Sequence, residues 1–145
     1  MYGPFQTGLA ETDNPQTSQR TIYMAAVEPG GGANIEREPM PPALPLGGGY
    51  VLREPDDTGR WEIATYRWSP GTIVVNQGDE VTLEIIGING REHHTEIEGY
   101  DLEFVVRRGE LTTVTFTADR AGIFNISCHD HQPSMTAQLV VLARE

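Results

Sequence analysis

Lysine is absent from this 145-residue chain: its 10 basic residues are all arginine, set against 21 acidic ones for a formal charge of −11. The basic stripe that would neutralise a phosphate backbone is therefore missing, which argues against nucleic acid as a partner. Charge of this sign suits solubility, or steering toward a basic protein. No run approaches the roughly 20 apolar residues that cross a bilayer, and no apolar leader core precedes a small-residue cleavage site. The chain is accordingly read as not membrane-spanning. Helical periodicity and internal repeats are also lacking. Cysteine occurs once, at Cys128, so no intramolecular disulfide forms and the redox compartment is not legible from disulfide usage.

What is present is glycine and proline. With 16 Gly, 10 Pro and 38% apolar residues, the chain has the size of one domain and a loop-rich texture. Residues 1–20 are polar and without period, as a tail is. A first strand is expected at 21–27. Residues 29–49 hold Gly30-Gly31-Gly32, Pro39, Pro41-Pro42, Pro45 and Gly47-Gly48-Gly49, which forbids a regular helix or a central strand. Such a long loop is expected to wrap the domain or a neighbouring subunit. Residues 1–60 thus form a tail and a Gly/Pro-rich arm, and residues 61–145 form the core.

From Trp61 onward the pattern is short alternating runs between turns, the signature of an all-β sandwich or barrel. Strands are expected at 61–68, 72–76, 81–86, 93–97, 123–128 and 137–142, with another carrying Val114, Phe116 and Ala118. Ser69-Pro70-Gly71, Gln77-Gly78-Asp79, Arg107-Arg108-Gly109 and Asp119-Arg120-Ala121-Gly122 supply turns. No helix is expected.

Cys128 opens the run Cys128-His129-Asp130-His131-Gln132-Pro133-Ser134-Met135, and a His93-His94 pair lies upstream. Strand parity decides which of these side chains meet. Phe124, Ile126 and Cys128 share one face, so His129 is aimed away from the sulfur. His131, three residues on, has left the strand and can fold back, as can Met135. His93 shares parity with Thr95 and Ile97, whereas His94 shares it with Glu96 and Glu98. The candidate metal ligands are therefore His93, Cys128, His131 and Met135. Glu92, Glu96, Glu98 and Asp130 are expected to form a solvated acidic rim.

One thiolate, two imidazoles and a thioether are the donor set of a mononuclear electron-transfer copper. Zinc suits it less, because zinc sites close with strong Cys, His or carboxylate ligands or keep a water. The cofactor expected is one copper per chain.

The segment from Pro70 to Val81, then His93 with Ile97 and Tyr100, then Gly109, and Phe116-Thr117-Ala118-Asp119-Arg120-Ala121-Gly122 leading into Cys128 together resemble the cupredoxins. The likeness covers residues 61–145. It is to the branch with the copper domains of cytochrome c oxidase subunit II and nitrous oxide reductase, and to nitrosocyanin. It implies a Greek-key β-sandwich, here with a long Gly/Pro-rich N-terminal arm. The binuclear centre of that branch needs a second cysteine four residues on, where this chain has Gln132. Nitrosocyanin carries glutamate at the position of His93 and histidine at that of Met135. The spacing Cys128-x2-His131-x3-Met135 is similar to the loops of plastocyanin and amicyanin.

The resemblance implies one-electron transfer through a type 1 (blue) copper, with a cytochrome or a terminal reductase or oxidase as redox partner. It implies the periplasm or outer cell surface, with an export signal or anchor not present in this chain. Nitrosocyanin's trimer admits a homo-oligomer here. The alternative is a redox enzyme or sensor acting on a small molecule such as nitric oxide at an open copper position. A copper carrier would more often show Met-rich or His-rich runs, and the four methionines here are scattered.

Overall fold

The computed structural model describes residues 18–145. Up to residue 17, the expected polar tail lies outside the described residues. The described chain is built of strands: β1 (Gln19–Val27), β2 (Gly30–Asn34), β3 (Tyr50–Arg53), β4 (Arg60–Thr65), β5 (Arg67–Ser69), β6 (Thr72–Asn76), β7 (Glu80–Gly87), β8 (Glu92–Ile97), β9 (Leu102–Arg107), β10 (Leu111–Thr117), β11 (Gly122–Cys128) and β12 (Thr136–Leu142). The first sheet runs β10-β7-β1-β5, the second β6-β12-β11-β8-β9, and a small third one β2-β4-β3.

Alternation along the strands builds the core between the two larger sheets. Val81, Leu83 and Ile85 of β7 and Met24 and Ala26 of β1 are buried from one side. Ile73, Val75, Ile97, Val106, Ile126, Ala137, Leu139 and Val141 meet them from the other. This is the expected β-sandwich. The expected first strand is β1, which pairs parallel with β7 from Gln19 opposite Glu80 to Ala26 opposite Gly87.

Three features were not legible beforehand. The glycines of β2 pair as an edge strand with β4, compatible with their poor fit to a central strand. The run 61–68 is two strands, because the chain changes sheet at Tyr66. Residues 102–107, outside the expected strands, form the edge strand β9, paired to β8 over its whole length.

Asp79, in the turn before β7, is fully buried. Its Oδ2 accepts from the Arg20 Nε at 2.7 Å and the Asn76 amide at 2.9 Å, and its Oδ1 from the Ser18 amide at 3.3 Å. The start of β1 is thereby tied to the β6–β7 turn. Burial works to raise the carboxyl pKa, but the bonds from Asn76, Arg20 and Ser18 and the Arg20 charge outweigh it, so the pKa lies below the usual carboxylate value. A depressed folded pKa gives stabilisation that is complete above the unfolded value of about 4 and is lost as pH falls through the folded one. Asp79→Asn is expected to cost about 2 kcal/mol at pH 7, the worth of a bond to a charged group. Urea unfolding at pH 7 and pH 3 checks this: the gap between variant and wild type should narrow in acid.

Candidate metal centre

The sequence places three ligand types on three different pieces of backbone, and one strand pairing brings two of them together. In the β8–β11 ladder Cys128 lies opposite Thr95, and His93 is the next residue of β8 on that face. The burial of β8 follows parity, with His93, Thr95 and Ile97 inside and His94 outside. After Cys128 the chain makes one 3-10 turn, His129–His131. The amide of Met135 then donates to the His131 carbonyl at 2.9 Å, and that of Cys128 to the Met135 carbonyl at 3.0 Å. The loop closes on its own ends, so Met135 returns beside Cys128, where its side chain is wholly buried in the same cluster.

Cys128 Sγ lies 3.6 Å from His93 Nδ1 and 3.4 Å from His131 Nδ1, and the two nitrogens are 3.2 Å apart. A triangle with these edges has a circumscribed radius of about 2 Å, close to the bond lengths of a first-row metal to nitrogen and sulfur. Hydrogen bonding fixes one lone pair. His93 Nε2 is 2.7 Å from the carbonyl of Asn89, which only accepts, so Nε2 carries the hydrogen and Nδ1 of the neutral ring faces inward bare. The three donors therefore fit a His2Cys metal site, with the buried Met135 packed in the same cluster.

Burial governs the electrostatics of two of the donors. Burial pushes the Cys128 thiol pKa up, against the opposing pull of backbone N–H groups of Asp130, His131 and His94. Burial, then the neighbouring His93, pushes the His131 pKa down, so this ring is neutral near pH 7. Both shifts favour the uncharged forms of Cys128 and His131.

The other two histidines are elsewhere. His94 Nδ1 is 2.8 Å from Asp130 Oδ2, and His129 Nε2 is 3.0 Å from Glu96 Oε1; both rings are about half exposed. The acidic rim is therefore partnered: Glu92 meets Arg107 at 3.2 Å and Glu98 accepts from Ser127 at 2.9 Å. Two neighbours of the site escaped the sequence reading. Tyr66 stacks on His131 at a centroid distance of 4.1 Å, and Trp68 lies 6.0 Å from His93. Both sit in a run of ordinary strand residues, with no spacing signal that links them to the ligands.

Over 76 residues the chain is 34% identical to a nitrous-oxide reductase of Ralstonia nicotianae (strain ATCC BAA-1114 / GMI1000), covering 48% of this chain and 12% of the reductase. Its fold is similar to a copper nitrite reductase from Nitrosomonas europaea, with TM-score 0.57 and 17% identity over 88% of this chain and 43% of that one. It is likewise similar to a multi-copper oxidase from Pseudomonas thermotolerans, with TM-score 0.58 and 14% identity over 90% of this chain and 31% of that one. The chain thus spans less than half the length of each. The family model of the cupredoxin-like domain matches residues 52–141, more than half of the sequence and all of β4–β11 with most of β12, so this chain belongs to the cupredoxin-like domain family.

Proposed function

We propose that this domain is a one-electron carrier whose single copper is held by His93, Cys128 and His131, with Met135 as the weak axial ligand. The observation that carries the reading is the set of three donor atoms with edges of 3.2–3.6 Å, two of them on buried strand residues, His93 and Cys128, and the third on the half-buried His131 of the following 3-10 turn. Bound copper supplies a Cu(II)/Cu(I) couple. The chain's own residues do the rest. Cys128 gives up its proton to bind as thiolate, and the backbone N–H groups of Asp130, His131 and His94 partly offset the charge left on sulfur. The Asn89 carbonyl holds the His93 ring in one tautomer and orientation. A shell fixed by a sandwich core changes little between oxidation states, which favours fast exchange.

His131 is the ligand that reaches the surface, which makes it the electron port in this reading. The −11 charge favours a basic redox partner, a cytochrome or a terminal reductase or oxidase. The periplasm or outer cell face is the setting proposed, by likeness to the family. Among the described residues no helix is long and apolar enough to cross a membrane.

Copper-loaded wild type should show one copper per chain and intense visible Cu(II)–thiolate absorption, and Cys128→Ser should lose that absorption. A loaded wild type without the band would sink the copper–thiolate reading. Met135→Ala should shift the band and let azide perturb it, at a cost of about 2–5 kcal/mol for the cavity. An azide response already present in wild type would instead support an open, reactive copper.

A further inference from the structure

His131 sits on a 3-10 turn whose backbone is held from inside the ligand loop by the Met135 amide and the Ser134 hydroxyl, while the flat face of its ring is met from outside the loop. Two supports converge there. The Tyr66 ring lies on the imidazole at 4.1 Å with planes 27° apart, close enough for offset stacking. The same tyrosine donates its amide to the Gly49 carbonyl at 2.8 Å. One residue earlier, the Gly48 amide donates to the Gln132 carbonyl, and Gly48 pairs with Pro133 in an isolated parallel bridge.

Gly49 itself is pressed between the strand and the loop. A Cβ there would overlap the Ser134 hydroxyl and crowd the His131 carbonyl, and the backbone has φ +95°, where side chains are strained. The Ser134 hydroxyl in turn donates to the His131 carbonyl at 3.2 Å. Glycine at this position is what allows the Gly/Pro-rich arm to lie directly on the ligand loop.

We infer that Gly48, Gly49 and Tyr66 form a strap that positions the His131 imidazole as a donor before any metal arrives, which extends the copper reading and rests on it only for the loaded protein. Tyr66 acts through its contact with the His131 ring, so it is a positioning residue. Preorganisation of this kind lowers the ordering cost of metal uptake and of each electron exchange.

The test begins with metal-free protein, residues 1–145. In its NMR spectra the His131 ring protons should be displaced upfield by the stacked tyrosine. Tyr66→Phe should keep the displacement, and Tyr66→Leu should lose it. Gly49→Ala, which breaks the strap without touching the tyrosine, should also reduce it, whereas Gly31→Ala, in open space of the same arm, should not. Copper loading gives the second readout: Tyr66→Leu should shift the visible maximum and the reduction potential, and Tyr66→Phe should restore both. Unchanged His131 shifts in Tyr66→Leu and Gly49→Ala, with dispersed spectra showing that both fold, would overturn the strap. If wild type takes no copper while the metal-free shifts behave as stated, the copper reading fails and the strap stands.

Discussion

The pairing of β8 with β11 is the constraint on which the rest of the site depends. It sets Cys128 opposite Thr95 and so puts the sulfur and the His93 ring on one inward face. A slip of one residue would exchange His93 for His94 and turn the ring to solvent. The core contacts of Ile97 and Ile126, both buried on the same strands, resist such a slip. Packing far from the donors thus sets their separation.

Holding polar donors in this interior is costly without a partner. A bare imidazole nitrogen and a thiol whose ionisation burial opposes have few hydrogen bonds to make there. The chain keeps them because surrounding groups restrict them: Asn89 directs one ring, Tyr66 covers the other, and the loop from Cys128 to Met135 is closed by its own amides. Around the site the carboxylates of Asp130 and Glu96 lie on the outer face, where His94 and His129 meet them. The donors converge among the apolar side chains of the core cluster. A cation with a preference for nitrogen and soft sulfur is what such a pocket accommodates.

Much of this was legible in the sequence because period two is a strong signal where one face is buried. Parity separated His93 from His94 and Cys128 from His129, and both distinctions hold in the structure. The turns were legible from their Gly, Pro and Asp residues. What was not legible depends on contacts distant in the chain. β2 is built of glycines, which carry no side-chain pattern, so only its partner β4 reveals it. β9 alternates Leu102, Phe104 and Val106 with Glu103, Val105 and Arg107, and the apolar Val105 on the opposite face obscures the period. Asp79 reads as a turn residue, and its ties to Arg20 and Ser18 span about sixty residues. The contact of Gly48 with Pro133 likewise joins an arm and a loop that nothing local connects.

X-ray absorption at the copper edge of the loaded protein addresses the central claim most directly. The account predicts one sulfur and two nitrogen scatterers at about 2 Å, consistent with a His2Cys set, in both oxidation states with little change between them. A first shell of nitrogen and oxygen without the short sulfur, or one that rearranges on reduction, would contradict it.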